Sequence, residues 1–260
     1  MTILDEIADY ARLRVEKQKE IKSIEEIRSE ALSLPGKDFL FEKALRKEGL
    51  SFICECKKAS PSKGIIAEQF PYLDIARDYD RAGADAISVL TEPKWFLGRD
   101  EYLSEISSSV SIPCLRKDFV VDEYMIYEAA VLGASAVLLI CSVLSEEEIK
   151  KYIGICDGLG LSALVEAHDE EEAKKAINAG AGIIGVNNRN LKDFSVDTEN
   201  SKRLRSLIPN DILFVSESGV KGPEDVRAIK DMGADAVLVG ETLMRAADKS
   251  KKLEELKSLL

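Results

Sequence analysis

Two hydrophobic regimes alternate along the chain. Short runs made almost wholly of Val, Ile, Leu and Ala are separated by longer stretches in which apolar residues recur every three or four positions among charges. The first regime predicts strands buried on both faces, the second helices that bury one stripe. Four segments resemble one another: 82–90, 132–140, 179–186 and 232–240. Their glycines, Gly83, Gly133, Gly180 and Gly233, stand 50, 47 and 53 residues apart. Each glycine reads as a helix C-terminus, and each apolar run after it as a strand. A further strand candidate lies between successive copies, at 112–116, 162–166 and 212–216, and a first one at 51–57 precedes the series. The pattern predicts eight strands, starting near 51, 85, 112, 135, 162, 182, 212 and 235.

The intervening stretches carry helix signals. Ser145 leads into Glu146-Glu147-Glu148, Asp169 and Glu172 have capping-box spacing, and Pro223 follows Gly222 where a first helical turn tolerates it. Apolar strands alternating with amphipathic helices imply a parallel sheet covered by helices. Eight such units, with a repeat that recurs every second unit, predict closure into a (β/α)8 TIM barrel. Residues 1–48 precede it as an N-terminal helical extension, and 49–260 form the barrel, together one structural domain. In the extension Ile3, Leu4, Ile7, Ala8, Ala11 and Val15 make one helical stripe, and a second helix is expected over 41–46, after Pro35-Gly36. Its simplest role is to plug or flank the barrel.

Composition narrows the function. The 260 residues include 36 Lys plus Arg against 47 Asp plus Glu, a formal net charge of −11. That balance leaves no basic footprint for nucleic acid or an anionic membrane, so an anionic ligand must be held by a local positive cluster. The acidic start, Asp5-Glu6, is unlike a signal peptide, and the strongest apolar run, 136–141, is too short to span a bilayer. Five cysteines without CxxC spacing and a single histidine fit neither a disulfide framework nor a zinc site. A cytoplasmic protein is expected, with no metal and no cofactor.

The functional face of such a barrel is the C-terminal end of its strands. Side chains two apart in a strand point the same way, so Ser51, Ile53, Glu55 and Lys57 share one face, and Phe52, Cys54 and Cys56 the other. Other strands end in Arg116-Lys117-Asp118-Phe119, Glu166, Asn187-Asn188-Arg189, Ser216-Glu217-Ser218-Gly219 and Gly240-Glu241. Strand ends that merely touch solvent carry some charge, but five ending in polar groups straight after apolar runs point to a site. Without a usable histidine, proton transfer falls to Lys and Glu. Lys117 is a candidate acid, and Glu55 and Glu166 candidate bases. Nearby carboxylates favour the lysine's charge while burial opposes it, so the direction of its shift is open at this level. His168, beside the Asp169 cap, reads as a loop residue.

The last two loops suit a phosphate. Ser218-Gly219 precedes one helix and Gly240 another, which brings backbone amides and helix N-termini to the usual anion site of this fold. Glu241 helps there only if its carboxylate points away. The loop after the first strand, 58–64, holds Lys58, Lys63 and Gly64 next to Lys57, a composition shared by mobile lids and by ordinary solvated loops.

Taken in order, Glu55-x-Lys57-x-x-Ser60-Pro61-Ser62, Leu115-Arg116-Lys117-Asp118-Phe119, Val165-Glu166-Ala167-His168, Asn187-Asn188-Arg189-Asn190-Leu191, Glu217-Ser218-Gly219 and Gly240-Glu241-Thr242-Leu243-Met244 closely resemble the signature motifs of the indole-3-glycerol phosphate synthase family. The stretch Thr91-Glu92-Pro93-Lys94-Trp95-Phe96 also fits, and the likeness spans the barrel and its helical extension. Cys54, Cys56 and Ala167 depart from the commoner residues, on the strand face away from the site.

The resemblance implies a lyase of tryptophan biosynthesis that cyclises 1-(2-carboxyphenylamino)-1-deoxyribulose 5-phosphate and expels CO2 and water. It implies Lys117 as the acid, with Glu55, Lys57 and Glu166 sharing the later proton transfers. Asn187 and Ser218 complete the catalytic set. Ser60, Phe96, Phe119, Arg189 and Glu217 contact the substrate, and Lys57, Ser218, Gly219, Gly240 and Glu241 hold its phosphate. The implied partner is one small phosphorylated molecule, and the chain would act as a monomer or weak homo-oligomer. Competing readings are another phosphate-binding barrel, such as phosphoribosylanthranilate isomerase or a Schiff-base aldolase, and a non-catalytic metabolite-binding barrel.

Overall fold

A computed structural model describes residues 2–190 and 194–260. Leu191, which ends one of the motifs above, lies outside the described residues. Eight parallel strands close into a barrel: β1 (Ser51–Cys56), β2 (Ala86–Leu90), β3 (Cys114–Lys117), β4 (Ala136–Ile140), β5 (Ser162–Ala167), β6 (Ile183–Asn187), β7 (Leu213–Glu217) and β8 (Ala236–Val239). Each begins within two residues of its predicted start, because a compact apolar run sets each strand, and in four of them a turn glycine marks where it begins. Gly83, Gly133, Gly180 and Gly233 all have positive φ, the backbone conformation that tight helix-to-strand turns require.

Alternation along the strands separates two cores. Inward residues Ile53, Ala86, Leu115, Ala136, Leu138, Leu164, Ile183, Leu213, Val215, Ala236 and Leu238 fill the barrel. Outward residues such as Phe52, Cys54, Cys56, Ile87, Val89, Val137, Leu139 and Val165 pack under the helices. All five cysteines are buried and free, and burial pushes the Cys114 thiol up to about 12.

The surrounding helices are α4 (Tyr72–Arg81), α5 (Asp100–Ser107), α6 (Tyr124–Val131), α7 (Glu146–Leu159), α8 (Glu170–Asn178), α9 (Glu199–Arg205), α10 (Pro223–Asp231), α11 (Glu241–Arg245) and α12 (Lys249–Lys257). Ser145 forms the expected capping box with Glu148. The box at Asp169 is only half made. Asp169 accepts from the Glu172 amide, but the Glu172 carboxylate turns to His168, accepting from its backbone N at 2.8 Å.

Before the barrel run α1 (Ile3–Ile21), α2 (Ile24–Ser33) and α3 (Leu40–Leu45). The helix α2 was absent from the sequence reading, since it buries only Ile27 and Ala31. The extension works at both ends of the barrel. Phe41 and Leu45 of α3 join the barrel's interior core, while Glu42 donates its backbone N–H to Ser162 Oγ at the start of β5. At the opposite end, α1 is tied to β3 by a buried ion pair, Arg14 to Asp118 at 2.8 Å. Asp118 also accepts from Thr91 Oγ1 at 2.8 Å, and the fully buried Arg116 donates to Asp100 at 2.8 Å. Among the described residues, no helix is long and apolar enough to cross a membrane.

Candidate active site

Strand register determines which polar groups meet. Each odd-numbered strand sends one ionisable side chain inward at its C-terminal end: Glu55 from β1, Lys117 from β3, Glu166 from β5 and Glu217 from β7. Barrels of this kind build interior layers from alternate strands, filled mostly by bulky apolar residues. Here one ammonium faces three carboxylates. The even strands make room for them with small residues. A Cβ at Gly185 of β6 would collide with the Glu217 carboxylate, and one at Gly240 after β8 with that of Glu55.

Lys117 Nζ lies 3.3 Å from Glu166 Oε2 and 3.7 Å from Glu217 Oε2. Burial opposes its charge, yet Glu166, Glu217 and Glu55 outweigh burial and raise its pKa above the usual lysine value. The direction left open by the sequence is therefore upward, and Lys117 is an ammonium at neutral pH. The two carboxyls beside it separate. Burial raises Glu166, but Lys117 and His168 more than offset this and hold it below the ordinary range. Burial and the adjoining Glu166 charge push Glu217 up to about 8 despite Lys117, so near neutrality it is an acid that donates to Glu166.

Glu55 and Lys57 form an ion pair on the other side of the chamber. Lys57 Nζ would sit 3.1 Å from a Cβ at Gly240, so it stands between Glu55 and the last strand's loop. There Ser218 and Gly219 both have positive φ, which turns the backbone sharply after β7. Gly240 is the N-cap of α11, whose first amides lack intrahelical partners. The Glu241 carboxylate turns to Arg245 at 3.0 Å and Lys63 at 3.7 Å, so Glu241 can offer an anion only its backbone amide. Lys63, from the lysine-bearing loop after β1, and Arg245, which the sequence did not single out, add cations.

All of the singled-out residues open onto one cavity of about 540 Å³: Glu55, Lys57, Ser60, Phe96, Lys117, Phe119, Glu166, Asn187, Arg189, Glu217, Ser218, Gly219, Gly240 and Glu241. The loop holding Ser60 is a two-residue hairpin, Ala59–Ser60 against Gly64–Ile65. Phe96 and Phe119 form an aromatic wall with ring centroids 6.1 Å apart. Glu92, fully buried, accepts from the backbone N of Lys94, Trp95 and Phe96 at 2.7–2.9 Å and so fixes the loop that presents Phe96. Arg189 donates to the Phe194 carbonyl at 3.2 Å, and its own backbone N–H donates to Asn187 Oδ1 at 3.0 Å. Asn188, outside the chamber, binds the Ser218 carbonyl at 3.0 Å and Ser201 Oγ at 2.8 Å, locking the β6 and β7 loops together.

Sequence reasoning missed the apolar side of the chamber. Ile3, Leu4 and Ile7 of α1 roof it, and Leu90, Leu138 and Ile140 line it from β2 and β4. The last three were recoverable from period-two alternation. The roof was not, because a stripe on α1 does not say what it covers.

The comparisons with known proteins agree with this geometry. Residues 4–256 match the family described as Indole-3-glycerol phosphate synthase. The chain is 59% identical over 256 residues to the indole-3-glycerol phosphate synthase of Ruminiclostridium cellulolyticum, covering 98% of each. It is 54% identical over 256 residues to that of Endomicrobium trichonymphae, covering 98% of this chain and 99% of that one. Among solved structures it resembles a mandelate oxidase (TM-score 0.59, 20% identity, 80% of this chain and 70% of that one) and a thiamine phosphate pyrophosphorylase from Pyrococcus furiosus (TM-score 0.59, 17% identity, 86% and 96%), a likeness of fold alone. With motifs, barrel geometry and relatives in agreement over nearly its whole length, the chain belongs to the indole-3-glycerol phosphate synthase family.

Proposed function

We propose that this protein converts 1-(2-carboxyphenylamino)-1-deoxyribulose 5-phosphate to indole-3-glycerol phosphate, CO2 and water. The observation that carries the reading is the Lys117 ammonium, paired with Glu166 and Glu217 at the bottom of a chamber that has an aromatic wall at one side and an anion cradle at another. The phosphate sits at Ser218, Gly219 and Gly240 with Lys57 beside it, and the anthranilate ring lies against Phe96 and Phe119 under the α1 roof. Ser60 and Asn187 orient the chain between these ends, and Arg189 takes the substrate's second anion, its carboxylate.

In the first step the ring carbon bearing the carboxylate attacks the ketone carbon. A C–C bond forms, and the carbonyl oxygen takes a proton from Lys117. In the second, the bond to the carboxylate breaks, CO2 leaves, and its electron pair returns to the ring. In the third, the new hydroxyl departs as water after protonation, and the adjoining carbon gives up a proton to complete the indole. Glu166 and the Glu55–Lys57 pair share these last transfers from opposite sides of the chamber. Glu217, neutral at pH 7, keeps Glu166 oriented and can return a proton to it. The net change is loss of CO2 and water, with no electrons passed to a partner, so the chemistry calls for no redox cofactor.

A Schiff-base aldolase is the reading this site disfavours, since such an enzyme needs a neutral amine and Lys117 is held charged. We take the chain to act as a monomer or weak homo-oligomer on one small phosphorylated substrate. Five buried, reduced thiols fit the cytoplasm. The test is purified protein with the carboxyphenylamino-deoxyribulose phosphate, followed by indole fluorescence. Product is expected without added metal or nucleotide. No product, or a lysine adduct trapped by borohydride, would refute the assignment.

A further inference from the structure

His168 is the only histidine in the chain, and it lies directly behind Glu166. Its ring Nδ1 is 2.9 Å from Glu172 Oε2, and the same oxygen accepts from the His168 backbone N at 2.8 Å. These two bonds pin the ring to the start of α8. A carboxylate only accepts, so Nδ1 carries a hydrogen. Nε2 is buried without a hydrogen-bond partner, and the nearest carboxylate oxygen, Glu166 Oε1, stands 3.4 Å from it. In a neutral ring that arrangement would set a nitrogen lone pair against a carboxylate lone pair in a dry place. A second proton on the ring turns the same contact into attraction.

We propose that His168 is a positioning residue: as an imidazolium it bridges Glu172 and Glu166, so that Glu166 is gripped by cations at both oxygens, Lys117 on Oε2 and His168 on Oε1. This rests on Glu166 acting in catalysis as described above. The groups facing the ring support it from every side. Glu172 comes from α8, Glu166 from β5 and Glu217 from β7, while Lys117 of β3 stands beyond Glu166. The neutral Asn200 of α9 donates to the His168 carbonyl at 2.9 Å. Burial opposes a charged ring, but the bond to Glu172 and the charges of Glu166 and Glu172 prevail and raise its pKa above the ordinary histidine value. The bridge keeps Glu166 ionised and in one orientation, ready to accept a proton.

A single histidine makes the test direct, because 15N labelling gives one pair of ring signals, Nδ1 and Nε2, in the whole protein. In the wild type the ring is expected to be doubly protonated at pH 6.5, with its titration midpoint displaced downward in Glu166→Gln. A midpoint at or below the ordinary value of about 6.5, unmoved by Glu166→Gln, would overturn the bridge. This readout needs no substrate, so it stands whether or not the activity assay succeeds. Where turnover is measured, His168→Asn should lower kcat roughly tenfold, the worth of one charge-assisted contact. KM should be little changed, and the acidic limb of kcat should shift to higher pH as Glu166 loses a cation. An imidazolium whose replacement leaves that limb in place would overturn the positioning role.

Discussion

Glu166 and Glu217 are the same residue type, side by side in one chamber, yet they hold opposite states. Lys117 and His168 flank Glu166, whereas Glu217 has the Glu166 charge for a neighbour and an unpartnered Oε1. The raised pKa of Glu217 has a consequence for stability. Its folded value, about 8, lies above that of an unfolded glutamate, so its stabilising contribution is complete below the unfolded pKa and is lost as pH rises through 8. The melting temperature of the wild type should therefore fall relative to Glu217→Gln between about pH 5 and about pH 9. Parallel melting curves across that range would show that Glu217 is not held neutral. Residue identity at the site was legible in the sequence, because polar residues broke apolar runs at strand ends. Protonation states were not. Neither was the neighbour relation of His168 and Glu166, since a histidine after a strand gives no sign of which way its ring folds back.

At the scale of elements, the site depends on what the even strands omit. Gly240 does not take the left-handed conformation, and what the chamber uses is the space left by its missing Cβ, into which the Glu55 carboxylate fits. Gly240→Ala should leave the fold intact but displace Glu55 and crowd Lys57, lowering kcat/KM at least tenfold in steady-state assays. Gly182→Ala is the matched control: no atom lies within 4 Å of the added carbon, and activity should be unchanged. Equal effects from the two would remove Gly240 from the site. The eight strands were readable because four follow the repeated turn glycines and the others are apolar runs that fall between them. The helix α2 was harder. Its Ser23-x-x-Glu26 capping box is visible in the sequence, but its two buried residues make too thin a stripe to announce a helix.

As a whole, the molecule sets a local cluster of cations against an overall charge of −11. Lys57, Lys63, Arg189 and Arg245 gather at one mouth of the barrel, close to the cradle. The same mouth is roofed by α1, which Arg14 anchors through Asp118 to the strand that carries Lys117. Barrel closure followed from the count and spacing of strands. That the extension reaches both ends of the barrel did not, because long-range docking leaves no periodic trace. The account's central claim is that Lys117, held charged by the carboxylates of Glu166 and Glu55, protonates the substrate during ring closure. Comparing Lys117→Met with the wild type, by indole fluorescence for turnover and calorimetry for substrate affinity, tests it most directly. Turnover is expected to fall by about a thousandfold or more, with binding kept within a few fold and the thermal melt still cooperative. Turnover within tenfold of the wild type in the folded variant would contradict it.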